Sequence, residues 1–244
     1  MRRLATQHRV TVLPFRVTSH ESILLRKLGS ADMRLQYNKV KNLQLASSKI
    51  DGVIIRPGET FSFWRLVGEP TAKKGYVSGM LLSNGVVKEG IGGGLCQAAN
   101  LLYWMALHSP LVVTERHHHS YDIFPDSGRV LPFGTGAAVF YNYVDIQFFN
   151  PTNVTFQINI GVNKTHLFGE IRSSEAMKYS YRIIERSHRF LQSISTGKIF
   201  RENAIYRQMI DKRTGNLIGD ELLYKNHSET LYEPALGTPI VMVP

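Results

Sequence analysis

A single cysteine, Cys96, follows a run of three glycines and begins an uninterrupted apolar segment. If this segment is a helix, the unpaired N–H groups of its first turn favour a negative charge, which lowers the pKa of a thiol. Gly92, Gly93 and Gly94 allow positive φ and a close approach of the backbone to a ligand. Their N–H groups could also line an oxyanion hole. The pattern predicts a nucleophile at Cys96 in a polar cradle that includes Gln97.

A nucleophilic cysteine needs a base, and three consecutive histidines follow about twenty residues later. On a strand, alternation places His117 and His119 on one face and His118 on the other. Asp122, Asp126 and Asp145 follow as acids that could orient the base. The order cysteine, histidine, acid resembles that of papain-like and NlpC/P60-like enzymes and suggests acyl transfer.

Two other interpretations of these residues stay open. Cys96 could be a buried apolar filler, with the glycines serving only close helix packing. Cys96, His117, His119 and an aspartate could instead bind a metal. The sequence contains no Cys-x-x-Cys pair and no His-Glu-x-x-His motif, so we expect neither a metal nor another cofactor.

Charge and hydropathy exclude several classes of protein. The 244 residues carry a formal net charge of +10, but the basic residues are dispersed and form no long basic tract, so we expect no nucleic-acid partner. The charge would suit a small acidic ligand or an anionic membrane face. The longest apolar stretch is shorter than the ~20 residues of a membrane span, and no signal-peptide core is visible. A cytoplasmic location is therefore predicted. One cysteine excludes an internal disulfide.

The hydrophobic periodicity predicts an α+β fold. We expect a short helix at 23–28 and an amphipathic helix at 36–50. A hairpin around Asn84-Gly85 and a buried central helix at 96–108 should follow. A strand should start at 111–113 and could continue to Tyr121. The last hundred residues alternate with period two, which is typical of antiparallel sheet. The prediction is a core at 1–150, with N-terminal helices and the central helix packed on antiparallel sheet. A β-rich extension at 151–244 either stands apart or belongs to the same domain.

Several ordered motifs resemble the VanW family. They are the segment 56–63, then Gly68, Gly75-Tyr76, the Gly92–Gln97 run and the segment 115–120, together spanning roughly 37–152. The resemblance places the family signature on seven residues: Gly92, Gly93, Gly94, Cys96, Gln97, His119 and Ser120. Gly136 stands where many longer members have an aspartate, which shifts the acid role to Asp122 or Asp126.

The resemblance implies a bacterial protein associated with B-type vancomycin resistance and with the cell envelope. Combined with the residues themselves, it suggests a cysteine-dependent hydrolase or acyltransferase acting on peptidoglycan-related peptides. The basic surface would then suit a small peptide or muramyl-type ligand. In this hypothesis Cys96 is the nucleophile, His119 or His117 the base, and Asp122 or Asp126 the orienting acid. The glycine run, Gln97 and Ser120 bind substrate. The alternative is a non-catalytic binding or accessory protein with the same pocket.

Overall fold

The computed structural model describes residues 3–26, 32–83, 86–118, 121–123, 125 and 131–244. The helices are α1 (Met33–Ile50), α2 (Phe63–Val67) and α3 (Cys96–Leu107), with a 3-10 turn at Ala72–Lys74. The strands are β1 (Arg3–Leu4), β2 (Gln7–His8), β3 (Phe15–Ile23), β4 (Val53–Ile55), β5 (Glu59–Ser62), β6 (Ser78–Ser83), β7 (Val86–Ile91), β8 (Val112–Glu115), β9 (Tyr121–Asp122), β10 (Gln147–Phe149), β11 (Phe156–Val162), β12 (His166–Ser173), β13 (Tyr179–Ser193), β14 (Ile199–Asp211), β15 (Leu217–Thr230) and β16 (Ile240–Val243).

The strands form three larger sheets and one hairpin. Their orders are β1-β5-β10-β8, then β2-β4-β11-β12-β3, then β16-β13-β14-β15-β9, with β6-β7 as the hairpin. Most neighbouring strands are antiparallel, and the parallel pairs are β1/β5, β13/β16 and β15/β9. The predicted α+β class with a β-rich C-terminal part is confirmed.

The central helix α3 is apolar on every side, and the structure buries it as expected. It packs against β3, β12, β8 and α1. Leu101, Leu102, Met105 and Ala106 are almost completely buried, and their apolar area removed from water is the main source of stability for this region. The predicted helix at 96–108 is confirmed to within one residue.

Helix α1 confirms the predicted amphipathic helix and begins three residues earlier. Its N-cap is Asp32, whose carboxylate accepts a hydrogen bond from the Arg34 N–H at 2.8 Å. One of its faces is buried and carries polar as well as apolar side chains. That polar part of the buried face, which includes Gln36, Lys39 and Asn42, contributes to the site described below.

Two predicted elements differ from the structure. The short helix expected at 23–28 is wrong for Ile23–Arg26. Ile23 ends strand β3, which pairs with β12 over eight residues, and this pairing outweighs the local helical spacing. Leu28 lies outside the described residues. Strand β8 ends at Glu115, although His117 makes one further bridge to Ala138.

The predicted hairpin is confirmed, with β6 and β7 antiparallel on either side of Asn84-Gly85, which themselves lie outside the described residues. The proposed boundary at 150/151 falls between β10 and β11. Strand β11 then pairs with β4, so residues beyond 151 complete the second sheet. No described helix is long and apolar enough to cross a membrane.

Candidate functional site around the start of helix α3

The glycine run forms a tight turn between the β6/β7 hairpin and α3. Gly92 and Gly94 have φ of 78° and 93°, a region that L side chains rarely adopt. Gly93 approaches the hairpin so closely that an added Cβ would be 2.1 Å from the Gly79 carbonyl carbon. Only glycine fits at these positions, so the run is required for packing whether or not it binds a ligand.

A buried asparagine on α1 anchors this turn. The Asn42 amide donates to the carbonyl oxygens of Gly93 and Val77, each at 2.9 Å, and its oxygen accepts from the Val77 N–H. The N–H of Gly92 donates to Val77 O and that of Gly93 to Gly90 O. Two of the three glycine N–H groups are therefore already used and are not free to stabilise an oxyanion.

Cys96 lies in the first turn of α3, as expected, and is half-buried against the core. Its Sγ lies 3.8 Å from the Val139 carbonyl oxygen. Burial raises the pKa of the Cys96 thiol, and the backbone groups of Val139 and of Cys96 itself offset this only in part. The expected lowering of this pKa is therefore wrong, because desolvation outweighs the effect of the helix start.

Gln97 is occupied by a neighbouring strand. Its Nε2 donates to Ser22 Oγ at 2.8 Å and to the Ile23 carbonyl oxygen at 2.9 Å. These bonds attach the start of α3 to the end of β3. They leave the side-chain oxygen as the part of Gln97 that could face a ligand.

The described histidines of the triplet are exposed. The Nε2 atom of His117 lies 3.6 Å from Glu115 Oε1, and its side chain is 52% exposed. The carboxylate beside His117 is therefore Glu115, which sequence reasoning missed although strand alternation places residues i and i+2 on one face. His119, Ser120 and Asp126 lie outside the described residues.

Glu115 also belongs to a polar network at the edge of the first sheet. It accepts from the Asp145 N–H and from Gln147 Nε2. Asp145 accepts from Ser62 Oγ at 2.6 Å and from the Trp64 N–H. The third acid considered from the sequence, Asp145, thus joins β10, β5 and α2.

Asp122 lies in the third sheet, in β9. Its carboxylate accepts from Arg201 Nη1 at 3.2 Å and from the Tyr232 hydroxyl at 2.7 Å. Asp122 and Arg201 are 7% and 3% exposed. Burial and the hydrogen bond to Asp122 raise the pKa of Tyr232 to about 12.

Arg116, the residue before the histidines, holds the loop that covers Cys96. Its Nε and Nη2 atoms donate to Gly136 O at 2.9 and 2.8 Å, and Nη2 also donates to Gly134 O. From α3, Asn100 Oδ1 accepts from the Ala137 N–H at 2.6 Å. Together they fix the segment that carries Val139, and sequence reasoning did not single them out because their partners are backbone atoms.

Comparison with known proteins decides the family. The VanW like protein model matches residues 38–172. The chain is also 32% identical over 220 residues to the vancomycin B-type resistance protein VanW of Enterococcus faecalis, covering 90% of this chain and 79% of that protein. This chain belongs to the VanW family.

A second relative is less completely covered. The uncharacterized protein YoaR of Bacillus subtilis is 33% identical over 112 residues, which is 46% of this chain and 35% of that protein. No solved structure matches the chain. The resemblance inferred from the sequence motifs is confirmed by the family match.

The VanW match contains the glycine turn, Cys96, the histidines and Arg116, and it ends within β12. Strands β13 to β16 lie beyond it. Within the residues described here, no three His, Cys, Asp or Glu side chains converge in a way that could hold a metal ion. The matched region thus contains the tightly packed glycine turn and the Cys96 thiol, which faces the loop that carries Val139.

Proposed function

We propose that this chain is a non-catalytic binding protein of vancomycin-resistance type, which recognises a peptidoglycan-related peptide at the start of α3. The family membership and the name of the Enterococcus faecalis relative support the link to vancomycin resistance. A cytoplasmic location, predicted from the sequence, would give the protein access to soluble precursor peptides of the envelope.

The observation that carries the proposal is the environment of Cys96. Its sulfur faces the Val139 carbonyl, and burial raises the pKa of its thiol, so the nucleophilic thiolate is disfavoured near neutral pH. The exposed His117 lies beside the Glu115 carboxylate. A rigid turn held from α1 and β6 provides a preorganised binding surface rather than an activated nucleophile.

Incubation with a disaccharide-pentapeptide muropeptide tests this function directly. We expect the wild type and Cys96→Ala to bind it with the same affinity by titration calorimetry, and mass spectrometry to find the muropeptide unchanged. Iodoacetamide at pH 6.5 should label Cys96 slowly in the folded protein and fully after unfolding. Release of an amino acid, or an acyl adduct on Cys96 that is lost in the alanine variant, would contradict the proposal.

A second candidate, cysteine-dependent acyl transfer, is favoured by the position of Cys96 in the first turn of α3. There the helix dipole would favour the thiolate once a bound substrate has displaced the Val139 carbonyl from the Cys96 sulfur. Cys96 would attack the peptide carbonyl, and His119 or His117 would carry the proton to the leaving amine. Asp126 would orient the histidine, because the Asp122 carboxylate is bonded to Arg201 and Tyr232. In this case His119→Ala should abolish both turnover and iodoacetamide labelling of Cys96 at pH 6.5. If the protein only binds the muropeptide, the same variant should keep its affinity.

A further inference from the structure

A buried lysine lies directly beneath the glycine turn. Lys39 of α1 is 6% exposed, and its stem packs against Gly94, where an added Cβ would be 2.2 Å from Lys39 Cγ. Burial, and secondarily the charge of Arg26, lower the pKa of Lys39 to about 8. The ammonium group is therefore still mostly protonated at pH 7, in a place where a charge is costly unless it is paired.

Lys39 is hydrogen-bonded to a neutral amide. Its Nζ donates to Gln36 Oε1 at 2.7 Å. In the described residues, no hydrogen bond or ion pair joins Lys39 to a carboxylate. An ammonium group has three donors, so this single bond leaves Lys39 short of acceptors.

Gln36 has the same shortage. Its side chain is 1% exposed, and no described residue accepts a hydrogen bond from its Nε2. A buried amide of this kind costs free energy unless something accepts its hydrogens. Because its oxygen contacts the Lys39 ammonium, the unpartnered Nε2 lies beside the same charge.

Two further features add positive potential. Arg26 is exposed and acts on Lys39 as a like charge. The start of α3 adds the positive end of its helix dipole, although the N–H groups of Gln97, Ala98 and Ala99 already donate to Gly94 O and Leu95 O. Among the described residues, Lys39 and Gln36 therefore offer more donors than the neighbouring acceptors use.

We propose that Lys39, Gln36 and Arg26 form a site for an oxyanion group of the ligand, beneath the glycine turn. The site rests on the proposed function, for which the oxyanion is the terminal carboxylate of the bound peptide. The ammonium of Lys39 and the amide of Gln36 donate to the two oxygens, and the exposed Arg26 adds positive charge nearby. A phosphate group offers the same oxyanion chemistry and is distinguished by the experiment.

Titration calorimetry with small probes tests the site without a natural ligand. The probes are N-acetylglycylglycine, its C-terminal amide, and inorganic phosphate. We expect the free acid to bind at least about tenfold more tightly than the amide, because the amide has no charged acceptor for Lys39. Lys39→Met should remove this preference, whereas Lys41→Met, an exposed lysine on the same helix, should leave it unchanged.

The wild type supplies a readout that does not depend on the folding of a variant. At pH 9 Lys39 is mostly neutral, so an anion that binds there must draw a proton onto it. Calorimetry in buffers of different ionisation enthalpy should then find uptake approaching one proton per site at pH 9, and almost none at pH 6.5. Binding without proton uptake at pH 9, or no binding of either acidic probe, would overturn the site.

The outcomes separate this inference from the proposed function. Muropeptide binding that does not depend on Lys39 would remove the oxyanion site and leave the binding function intact. If the protein prefers the free-acid probe to the amide and an acyl adduct also forms on Cys96, the oxyanion site is kept and the non-catalytic function is excluded. Binding of phosphate but not of the free acid would keep the oxyanion site and exclude a peptide carboxylate as its occupant.

Discussion

Two buried cations, in different parts of the chain, are accommodated in opposite ways. Arg201 of β14 is surrounded by partners. It donates to Asp122, to the Tyr232 hydroxyl and to His188 Nε2, and its guanidinium lies 4.6 Å from the centre of the Phe133 ring. Lys39 of α1 contacts one neutral amide and faces another cation.

The difference indicates different roles. A buried ion pair whose cation also bonds a histidine and a tyrosine hydroxyl is a completed structural unit, and it connects β9 and the segment after β15 to β14. Lys39 has no carboxylate partner in the part of the chain that the structure describes, and perturbed groups of this kind are concentrated at functional sites. The buried pair in the C-terminal sheet therefore stabilises the fold, whereas Lys39 beneath the glycine turn provides the candidate binding chemistry.

The largest expected effect comes from breaking the completed pair. Asp122→Ala leaves Arg201 charged and buried, and removing one partner of a buried pair costs about 3–5 kcal/mol of unfolding free energy. Urea denaturation measures the change. As a control, Arg189→Met removes an exposed pair with Glu202 and should cost less than about 1 kcal/mol. Similar losses in the two variants would show that Arg201 does not depend on Asp122.

The next effect concerns the wall of the Lys39 site. Gly94→Ala combines positive φ with a collision against the Lys39 stem, so we expect a loss of about 2–3 kcal/mol and weaker probe binding. Gly215→Ala is the matched control, since Gly215 has φ of 74° but open space around it. It should show the backbone strain alone, about 1 kcal/mol. Equal losses at the two glycines would mean that Lys39 does not pack tightly beneath the turn.

The smallest effect is a pH dependence. The pKa of Lys39 is lowered in the folded state, so the unfolded chain binds more protons between about pH 8 and the ordinary lysine pKa near 10.5. The penalty for the buried charge is present below pH 8 and is relieved as the pH rises through this range. Lys39→Met should therefore be more stable than the wild type at pH 7, by about 1–2 kcal/mol, and the difference should shrink toward pH 10.

Denaturation curves of Lys39→Met and Lys41→Met at pH 7 and pH 10 measure this difference. The exposed Lys41 should show no such change with pH. A wild type that is more stable than Lys39→Met at pH 7 would mean that the ammonium already has a stabilising partner in the protein. The contrast with Arg201 would then disappear.

Much of the fold follows from local sequence patterns. The uninterrupted apolar run after Cys96 predicts a buried helix, and the alternation from Phe156 onward predicts antiparallel strands. The Asn84-Gly85 pair similarly predicts the β6/β7 hairpin. These signals are strong because each concerns neighbours within one element. The local pattern around Ile23 predicts the wrong element, because the conformation of this segment is set by pairing with β12, more than 140 residues away.

The candidate site divides in the same way. The sequence by itself determined the glycine turn and the position of Cys96 at the start of α3, since residue types and spacing fix both. Only the tertiary structure decided that burial raises the pKa of Cys96, that Asp122 belongs to Arg201, and that Glu115 is the carboxylate beside His117. It also placed Lys39 and Gln36 beneath Gly94, more than fifty residues along the chain. Desolvation and charge pairing depend on which distant segments meet in space, and a linear pattern carries no information about those meetings.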